Sequence, residues 1–332
     1  FHVLEKPMSN FTGTALSLST ILNMEYLDTL SGGKKITLET INPRELVQDH
    51  SARRFLKLQG YSYVHLGSTW DGTRRNYYAD KNVNIGYFSE FFMMLYRTTA
   101  LHPYTFNYSL FDFDYVEWKR ILFQLDELAR MPGRKGSYKA MQEKPLFVFA
   151  HFGVPRGPFI IKADGTFRRP LLDYAKDPER AARGLKDNDF VEWYRDQIIF
   201  INARLKPLID AILAESATPP IIVIQSDHGS RITIKARDES GDDVSDLFIR
   251  DRSRNFSAFY LPHDGDMLLY EFMTPVNTFR LIFSHYFGAD YPPLPDKVFV
   301  ALPRSGTEDI DETIEEHFNL RDVTERARAQ YD

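Results

Sequence analysis

Three side chains in this sequence, Thr14, Asp227 and His228, are of the types that activate and carry out substitution at an ester. Asp227 and His228 stand side by side before Gly229, directly after the apolar run Ile221-Ile222-Val223-Ile224. A carboxylate and a neutral imidazole are both good ligands for a divalent cation. Thr14 follows the turn-rich stretch Asn10-Phe11-Thr12-Gly13 and opens a segment with Ala15, Leu18, Ile21, Leu22 and Tyr26 on one helical face. Its hydroxyl therefore sits at or beside a helix N-terminus, where unpaired N–H groups and the positive end of the dipole favour an anion. A hydroxyl there either caps the helix, worth about 1 kcal/mol, or attacks a phosphate or sulfate ester held in that cradle. To attack, it needs a metal or a base that takes its proton. The Asp-His-Gly triplet also has two readings: a strand-to-loop turn bonded to backbone, or part of a metal site.

A second histidine is placed in the same way. His151 follows the apolar run Leu146-Phe147-Val148-Phe149-Ala150 and opens a polar cluster that includes Arg156. In open α/β sheets, ligands and catalytic groups gather at the carboxyl ends of the strands. Two histidines at the ends of two buried strands are less readily incidental than one. The loop from Gly67 to Asp80 concentrates Trp70, Arg74, Arg75 and Asn76, a composition suited to a polar or anionic ligand and also common in ordinary surface loops. Trp70, Arg74, Asn76 and Arg156 are the candidates for substrate binding.

Behind these residues the sequence lays out alternating strands and helices. Ile221 to Ile224, after Pro219-Pro220, reads as a parallel strand buried on both faces. Asn42 caps a helix with Pro43 in its first turn, Gly60 stops it, and Tyr61 to Leu66 is a strand. Residues near Ile85 to Thr99, Tyr115 to Met131 and Phe190 to Ser216 read as helices, and Lys162 to Pro170 as a hairpin-like excursion. The polar segment Arg237 to Arg254 is expected to be mobile, a lid over the site. Phe256 to Leu261 is a strand, Thr274 caps a helix that Gly288 closes, and the tail from Asp309 is a surface helix. The expected class is α/β, a layered fold with a mostly parallel central sheet flanked by helices. Residues 1–305 form its catalytic domain and 306–332 a C-terminal tail.

Composition narrows the chemistry. A chain of 332 residues, 43% of them hydrophobic, buries a large core. A net charge of −5 argues against general nucleic-acid binding. The absence of cysteine removes disulfides, thiol nucleophiles and cysteine zinc sites together. No apolar run approaches the length of a membrane-spanning helix. The sequence starts at Phe1, inside what reads as a strand, and so reads as a piece of a longer chain.

Five blocks carry a resemblance. Thr14-Ala15-Leu16-Ser17-Leu18-Ser19 with Leu22-Asn23-Met24-Glu25-Tyr26 resembles the nucleophile helix of bacterial sulfatase-like hydrolases and transferases of the alkaline-phosphatase superfamily. Gly67 to Asp80, His151 to Phe159, Ser226-Asp227-His228-Gly229, and Pro275 to Leu281 with Tyr286-Phe287-Gly288 resemble the same family in the same order. The resemblance implies that Thr14 is the nucleophile of a phosphoethanolamine-transferase-like domain and also touches the metal, and that Asp227 and His228 are metal ligands. It implies that His151 contacts a second metal or the transferred group. The implied cofactor is a divalent metal, zinc first, with manganese, magnesium or calcium as alternatives.

The departures matter too. Arg156 stands where the family has a second histidine between prolines; as a fixed cation it can hold an anionic oxygen but not a metal. The family's first metal-binding Asp lies upstream of the nucleophile helix, and this sequence begins after that point. Thr14, Asp227 and His228 then supply three ligands where a closed zinc site takes four, so the site is expected to be weakly filled or empty. Sulfatases of the superfamily use a formylglycine made from Cys or Ser; here there is no Cys, and Thr14 is followed by Ala15-Leu16-Ser17.

The implied activity is metal-dependent transfer or hydrolysis at a phosphate ester, with sulfate second, on an envelope lipid or glycan. His151 would bind the substrate, protonate the leaving oxygen or ligate a second metal. The alternatives are a soluble phosphodiesterase, phosphatase or arylsulfatase-like hydrolase, and a headgroup- or glycan-binding domain that has lost its metal. The resemblance also implies the extracytoplasmic face of a bacterial inner membrane, with attachment through segments outside this sequence.

Overall fold

The computed structural model describes residues 1–37, 40–85, 92, 95–96, 98–100, 113–132, 138, 141, 143–169, 187–230, 243–302 and 319–331. In chain order its elements begin with β1 (His2–Val3), α1 (Thr14–Asn23), α2 (Leu27–Leu30), α3 (Pro43–Gln48) and α4 (Ser51–Leu58). Next come β2 (Ser62–Leu66), α5 (Asp71–Arg74), β3 (Lys81–Val83), α6 (Phe113–Arg130), β4 (Leu146–Ala150) and α7 (Asp187–Glu215). The chain continues with β5 (Ile222–Gln225), α8 (Asp246–Ser253), β6 (Ser257–Tyr260), α9 (Val276–Phe287), β7 (Phe299–Leu302), β8 (Asn319–Asp322) and α10 (Thr324–Ala329). They fall into two compact units, Phe1–Phe55 with Pro219–Asp332, and Leu56–Thr218.

The second unit contains the parallel sheet that the sequence leads one to expect. Its strand order is β3-β2-β4, and both pairings are parallel, with Leu66 opposite Val83 on one side and Ala150 on the other. All five residues of β2 are buried, as a central strand requires. Val64, Leu66, Val83, Met131 and Tyr138 form one core cluster beside this sheet, and Ile121, Leu125, Ile160, Ile161, Phe200 and Ile201 form another. Each such fully buried aliphatic side chain contributes roughly 1.5–3 kcal/mol. The hairpin excursion is present: Ile161 bridges Phe167 and Gly165 takes the left-handed turn at φ +86°.

The first unit differs from expectation. β5 pairs antiparallel with β6, which pairs antiparallel with β1, in the order β1-β6-β5. Its four residues are half-buried rather than buried on both faces. A run of β-branched residues specifies extended backbone; it does not specify the direction of the neighbouring strand.

Three local expectations are also revised. Thr274 does not cap α9: its hydroxyl donates to Asp296 Oδ1 at 2.7 Å, while Asn10 Oδ1 accepts the helix's Val276 N–H at 2.7 Å. Of the expected lid, residues 237–242 lie outside the described residues; the rest forms α8, whose Phe248 and Ile249 are fully buried against Met8, Val298 and Val300. The tail, expected as a surface helix, carries over 319–331 a strand paired with β7 and then α10, with Ala327 fully buried. The helix expected over 85–99 lies mostly outside the described residues. Asn42 caps α3 through its side-chain oxygen and Gly60 sits at φ +85° just beyond α4, as expected, but the single helix expected between them is two, Pro43–Gln48 and Ser51–Leu58, broken at Asp49 and His50.

Candidate functional site

In the first unit, the end of β5 meets the start of α1. Thr14 is the first residue of α1, and the cap position is Gly13, whose backbone is extended and which has no side chain to bond. The Thr14 hydroxyl is therefore not used as the cap. It lies 3.3 Å from His228 Nε2. One turn along the helix, Ser17 Oγ donates to the Asp227 carbonyl at 2.5 Å and fixes the backbone between the two acidic-site residues and α1.

The tautomer of His228 follows from one contact. Its Nδ1 lies 2.8 Å from the Gly229 carbonyl, which can only accept, so Nδ1 carries the proton. In the neutral ring Nε2 then has the lone pair and can accept from the Thr14 hydroxyl. The Asp227 carboxylate oxygen Oδ2 stands 3.5 Å from the same Nε2. A carboxylate oxygen and an unprotonated nitrogen repel each other at that separation unless a cation or a proton lies between them. Thr14, Asp227 and His228 thus form a small, mostly buried set of donor atoms suited to a divalent cation. It is a set of two conventional ligands and a hydroxyl; among the described residues, no three His, Asp or Glu side chains come together as a metal cluster.

Local packing explains the glycine that follows. The Gly229 N–H donates to Arg252 O at 2.8 Å, and a Cβ there would lie 2.1 Å from Asp251 O and 2.5 Å from Arg254 O. Gly229 is needed for close approach to the end of α8, not for a left-handed turn. The strand exit is also held by Phe256 N–H donating to Ser226 Oγ at 2.8 Å and by Asn255 Nδ2 donating to the Ser226 carbonyl at 3.2 Å.

The second unit places its candidates at the carboxyl edge of the parallel sheet. His151 follows β4 and its N–H donates to the Leu66 carbonyl at the end of β2. This brings its ring to the loop after β2: Nδ1 lies 2.6 Å from Thr73 Oγ1 and 3.2 Å from Ser68 Oγ, and Trp70 meets the ring edge-on at 6.1 Å. Gly72 leaves room for the Trp70 ring, which a Cβ would meet at 2.1 Å. A buried histidine hangs from the same threonine. His65 Nε2 donates to the Thr73 carbonyl at 2.6 Å, and Tyr63 donates its hydroxyl to His65 Nδ1 at 2.8 Å. Burial first, and then the nearby His151, pull the His65 pKa down to about 4.

The substrate-binding candidates separate on inspection. Trp70 and Arg156 are half-buried, and Arg156 offers its carbonyl to Gln197 Nε2 at 3.0 Å. Arg74 ends α5, and its carbonyl accepts from Asn84 Nδ2 at 2.8 Å. Asn76 is fully buried, and its side-chain oxygen accepts the Tyr78 N–H at 2.9 Å. It belongs to the frame of the loop rather than to its face. The sequence reading missed Ser17, Ser68, Thr73 and His65. It also missed the polar stripe on α6, where Gln124 holds the Gly67 carbonyl at 2.7 Å and Arg120 holds the Ile85 carbonyl at 2.9 Å. For His65, Arg120 and Gln124 the signal was a polar residue at a position that periodicity assigns to the core; the three hydroxyls leave none.

The sequence matches no family model and no curated protein. Solved structures do match. The zinc complex of the C-terminal periplasmic domain of EptC from Escherichia coli superposes with a TM-score of 0.51 at 13% identity, over 95% of this chain and 83% of that one. Ps i-CgsB in complex with k-i-k-neocarrahexaose gives 0.50 at 13% identity, over 92% and 72%. A protein from a Bacteroides thetaiotaomicron locus for metabolism of multiple glycosaminoglycans gives 0.50 at 9% identity, over 99% and 81%. Among the described residues, no helix is long and apolar enough to cross a membrane.

Proposed function

We propose that the chain is a sulfatase-like protein of the alkaline-phosphatase superfamily, a reading that its five sequence blocks suggest and its likeness in fold to the EptC periplasmic domain supports. On that footing we propose a metal-dependent hydrolase or transferase that acts on a phosphate ester, with a sulfate ester as second choice, through Thr14. The observation that supports this most is the Thr14 hydroxyl at 3.3 Å from the unprotonated nitrogen of His228, at the start of a ten-residue helix.

Each residue has a role that its chemistry permits. Asp227, His228 and the Thr14 hydroxyl would hold a divalent metal, with zinc favoured by the zinc complex of the EptC periplasmic domain that shares the fold. Such a metal acidifies a bound hydroxyl and offsets the ester's negative charge. Thr14 Oγ1 would attack phosphorus in line, its new P–O bond forming as the bond to the leaving alcohol breaks; with the His228 Nε2 lone pair given to the metal, the Thr14 proton goes to solvent, the leaving oxygen takes one from solvent, and the first N–H groups of α1 receive the equatorial oxygens. Gly229, by tying His228 Nδ1, keeps the accepting nitrogen turned toward Thr14. His151, Trp70, Arg74 and Arg156 are proposed to bind the ester and its substituent, Arg156 as a fork-shaped cation for anionic oxygens.

The acceptor is an alcohol on an envelope lipid or glycan, or water, and the location is extracytoplasmic. The test is turnover of a phosphate-ester and a sulfate-ester chromogenic substrate by the zinc-loaded protein and by Thr14→Ala. Phosphate-ester turnover lost in the variant supports the reading. Equal turnover in both contradicts it.

A further inference from the structure

The three atoms around His151 form a closed triangle, and every arrangement of hydrogens that satisfies it leaves His151 Nδ1 without a proton. Ser68 Oγ lies 2.8 Å from Thr73 Oγ1, Thr73 Oγ1 lies 2.6 Å from His151 Nδ1, and Ser68 Oγ lies 3.2 Å from the same Nδ1. Ser68 Oγ also accepts the Trp70 N–H at 3.1 Å. Both hydroxyls are buried, Ser68 at 2% exposure and Thr73 at none, so their protons must be placed within the protein.

Consider first His151 with its proton on Nδ1. It would donate to Thr73 Oγ1, and Thr73 would pass its own proton to Ser68 Oγ. Ser68 would then receive two hydrogens and keep one of its own with nowhere to go, because its acceptors among the described residues are Thr73 Oγ1 and His151 Nδ1. A buried hydroxyl proton without an acceptor costs about 1–3 kcal/mol. In the reverse arrangement nothing is left over: Trp70 N–H donates to Ser68, Ser68 to Thr73, and Thr73 to an unprotonated Nδ1. Thr73 donating to Ser68, and Ser68 to Nδ1, satisfies the same groups and also leaves Nδ1 unprotonated.

We infer that Ser68 and Thr73 are positioning residues that hold His151 as its Nε2–H tautomer, so that Nε2 is a hydrogen-bond donor suited to an ester oxygen rather than a metal-binding lone pair. This rests on the proposed ester chemistry for its functional half; the tautomer itself stands on the geometry alone. His228 is set the opposite way, with the proton on Nδ1 and the lone pair on Nε2. Two histidines of one chain, each following a strand, are thereby prepared for different work. One accepts a proton or binds a cation, and the other donates to an anion. Thr73 serves His151 through its hydroxyl and His65 through its carbonyl, so one residue fixes two neighbouring rings.

The experiment is nitrogen-15 NMR of histidine-labelled full chain, with His151 assigned by His151→Gln, on the wild type and on Thr73→Val and Thr73→Ser. The expected result is an unprotonated Nδ1 and a protonated Nε2 for His151 in the wild type. In Thr73→Val the Nδ1–H form should appear, and Thr73→Ser should restore the wild-type pattern. With a phosphate-ester substrate, Thr73→Val should lower kcat about 10-fold with little change in KM, and Thr73→Ser should recover most of it. A wild-type His151 with its proton on Nδ1 overturns the inference whether or not the protein turns over esters. The expected tautomer, combined with turnover that Thr73→Val leaves unchanged, overturns the positioning role. Absence of ester turnover in the wild type refutes the proposed function and leaves the NMR result to decide the tautomer.

Discussion

His228 Nδ1 donates to the carbonyl of its own neighbour, Gly229, at 2.8 Å, and this turns the lone pair of Nε2 toward Thr14 and Asp227. The relationship sets the chemistry of the first unit. An acceptor nitrogen 3.5 Å from a carboxylate oxygen is an arrangement that calls for a cation.

Metal binding is the first consequence. The purified protein given zinc should bind it with Asp227 and His228 as ligands. Asp227→Ala and His228→Ala should each weaken zinc binding by more than the roughly 10–100-fold that changes outside the ligand shell cause. Titration calorimetry measures this. Wild-type affinity in both variants would mean that the metal binds elsewhere.

Gly229 gives a prediction about stability. A methyl group there meets the Asp251 carbonyl at 2.1 Å, so backbone must move. Gly229→Ala should destabilise the fold by about 1–3 kcal/mol, read from the denaturant midpoint. An unchanged midpoint would show that the end of α8 is free to give way.

His65 predicts a pH dependence. Its folded pKa is pulled down to about 4, below the ordinary 6.5, mainly by burial. The unfolded chain therefore binds more protons between those values, and stability falls as pH drops from 6.5 and levels off below about 4. At one pKa unit per 1.36 kcal/mol the full effect is on the order of 3 kcal/mol, and about 2 kcal/mol is lost by pH 5. His65→Gln, which keeps a donor for the Thr73 carbonyl, should flatten that part of the urea-stability profile. A profile of the same slope in the variant would assign the dependence to other groups.

How far the sequence could be read depends on which physical signal each residue leaves. Apolar runs announce strands, and β2 and β4 lie where Tyr61–Leu66 and Leu146–Ala150 place them, although β4, expected to be buried, is half-buried. β3 is three residues long and leaves no periodicity to detect. The antiparallel pairing of β5 was not legible, since strand direction depends on a partner more than 30 residues away. The juxtaposition of Thr14 with Asp227-His228 could be inferred only from residue type and resemblance; spacing along the chain says nothing about it. Ser17, Ser68 and Thr73 were invisible because a hydroxyl that orients a histidine looks, in sequence, like any loop or helix serine or threonine. Asn76 shows the opposite error, a polar loop residue whose side chain is used by the loop itself.

Arg156 predicts a distinction between charge and shape. If it holds anionic ester oxygens with a planar fork, Arg156→Lys should not be conservative. We expect kcat/KM to fall about 10-fold in the lysine variant, chiefly through KM. Steady-state kinetics on the phosphate-ester substrate decides this, and a lysine variant equal to the wild type would remove Arg156 from substrate binding.

The most direct test of the account is to catch the covalent intermediate on Thr14. Zinc-loaded protein is mixed with a phosphate ester carrying a good leaving group, quenched in acid within a single turnover, digested and analysed by mass spectrometry. The account predicts a phospho-substituent on the peptide containing Thr14, localised to that residue and absent in Thr14→Ala. Turnover at the wild-type rate in Thr14→Ala, or the substituent on another residue, would contradict it.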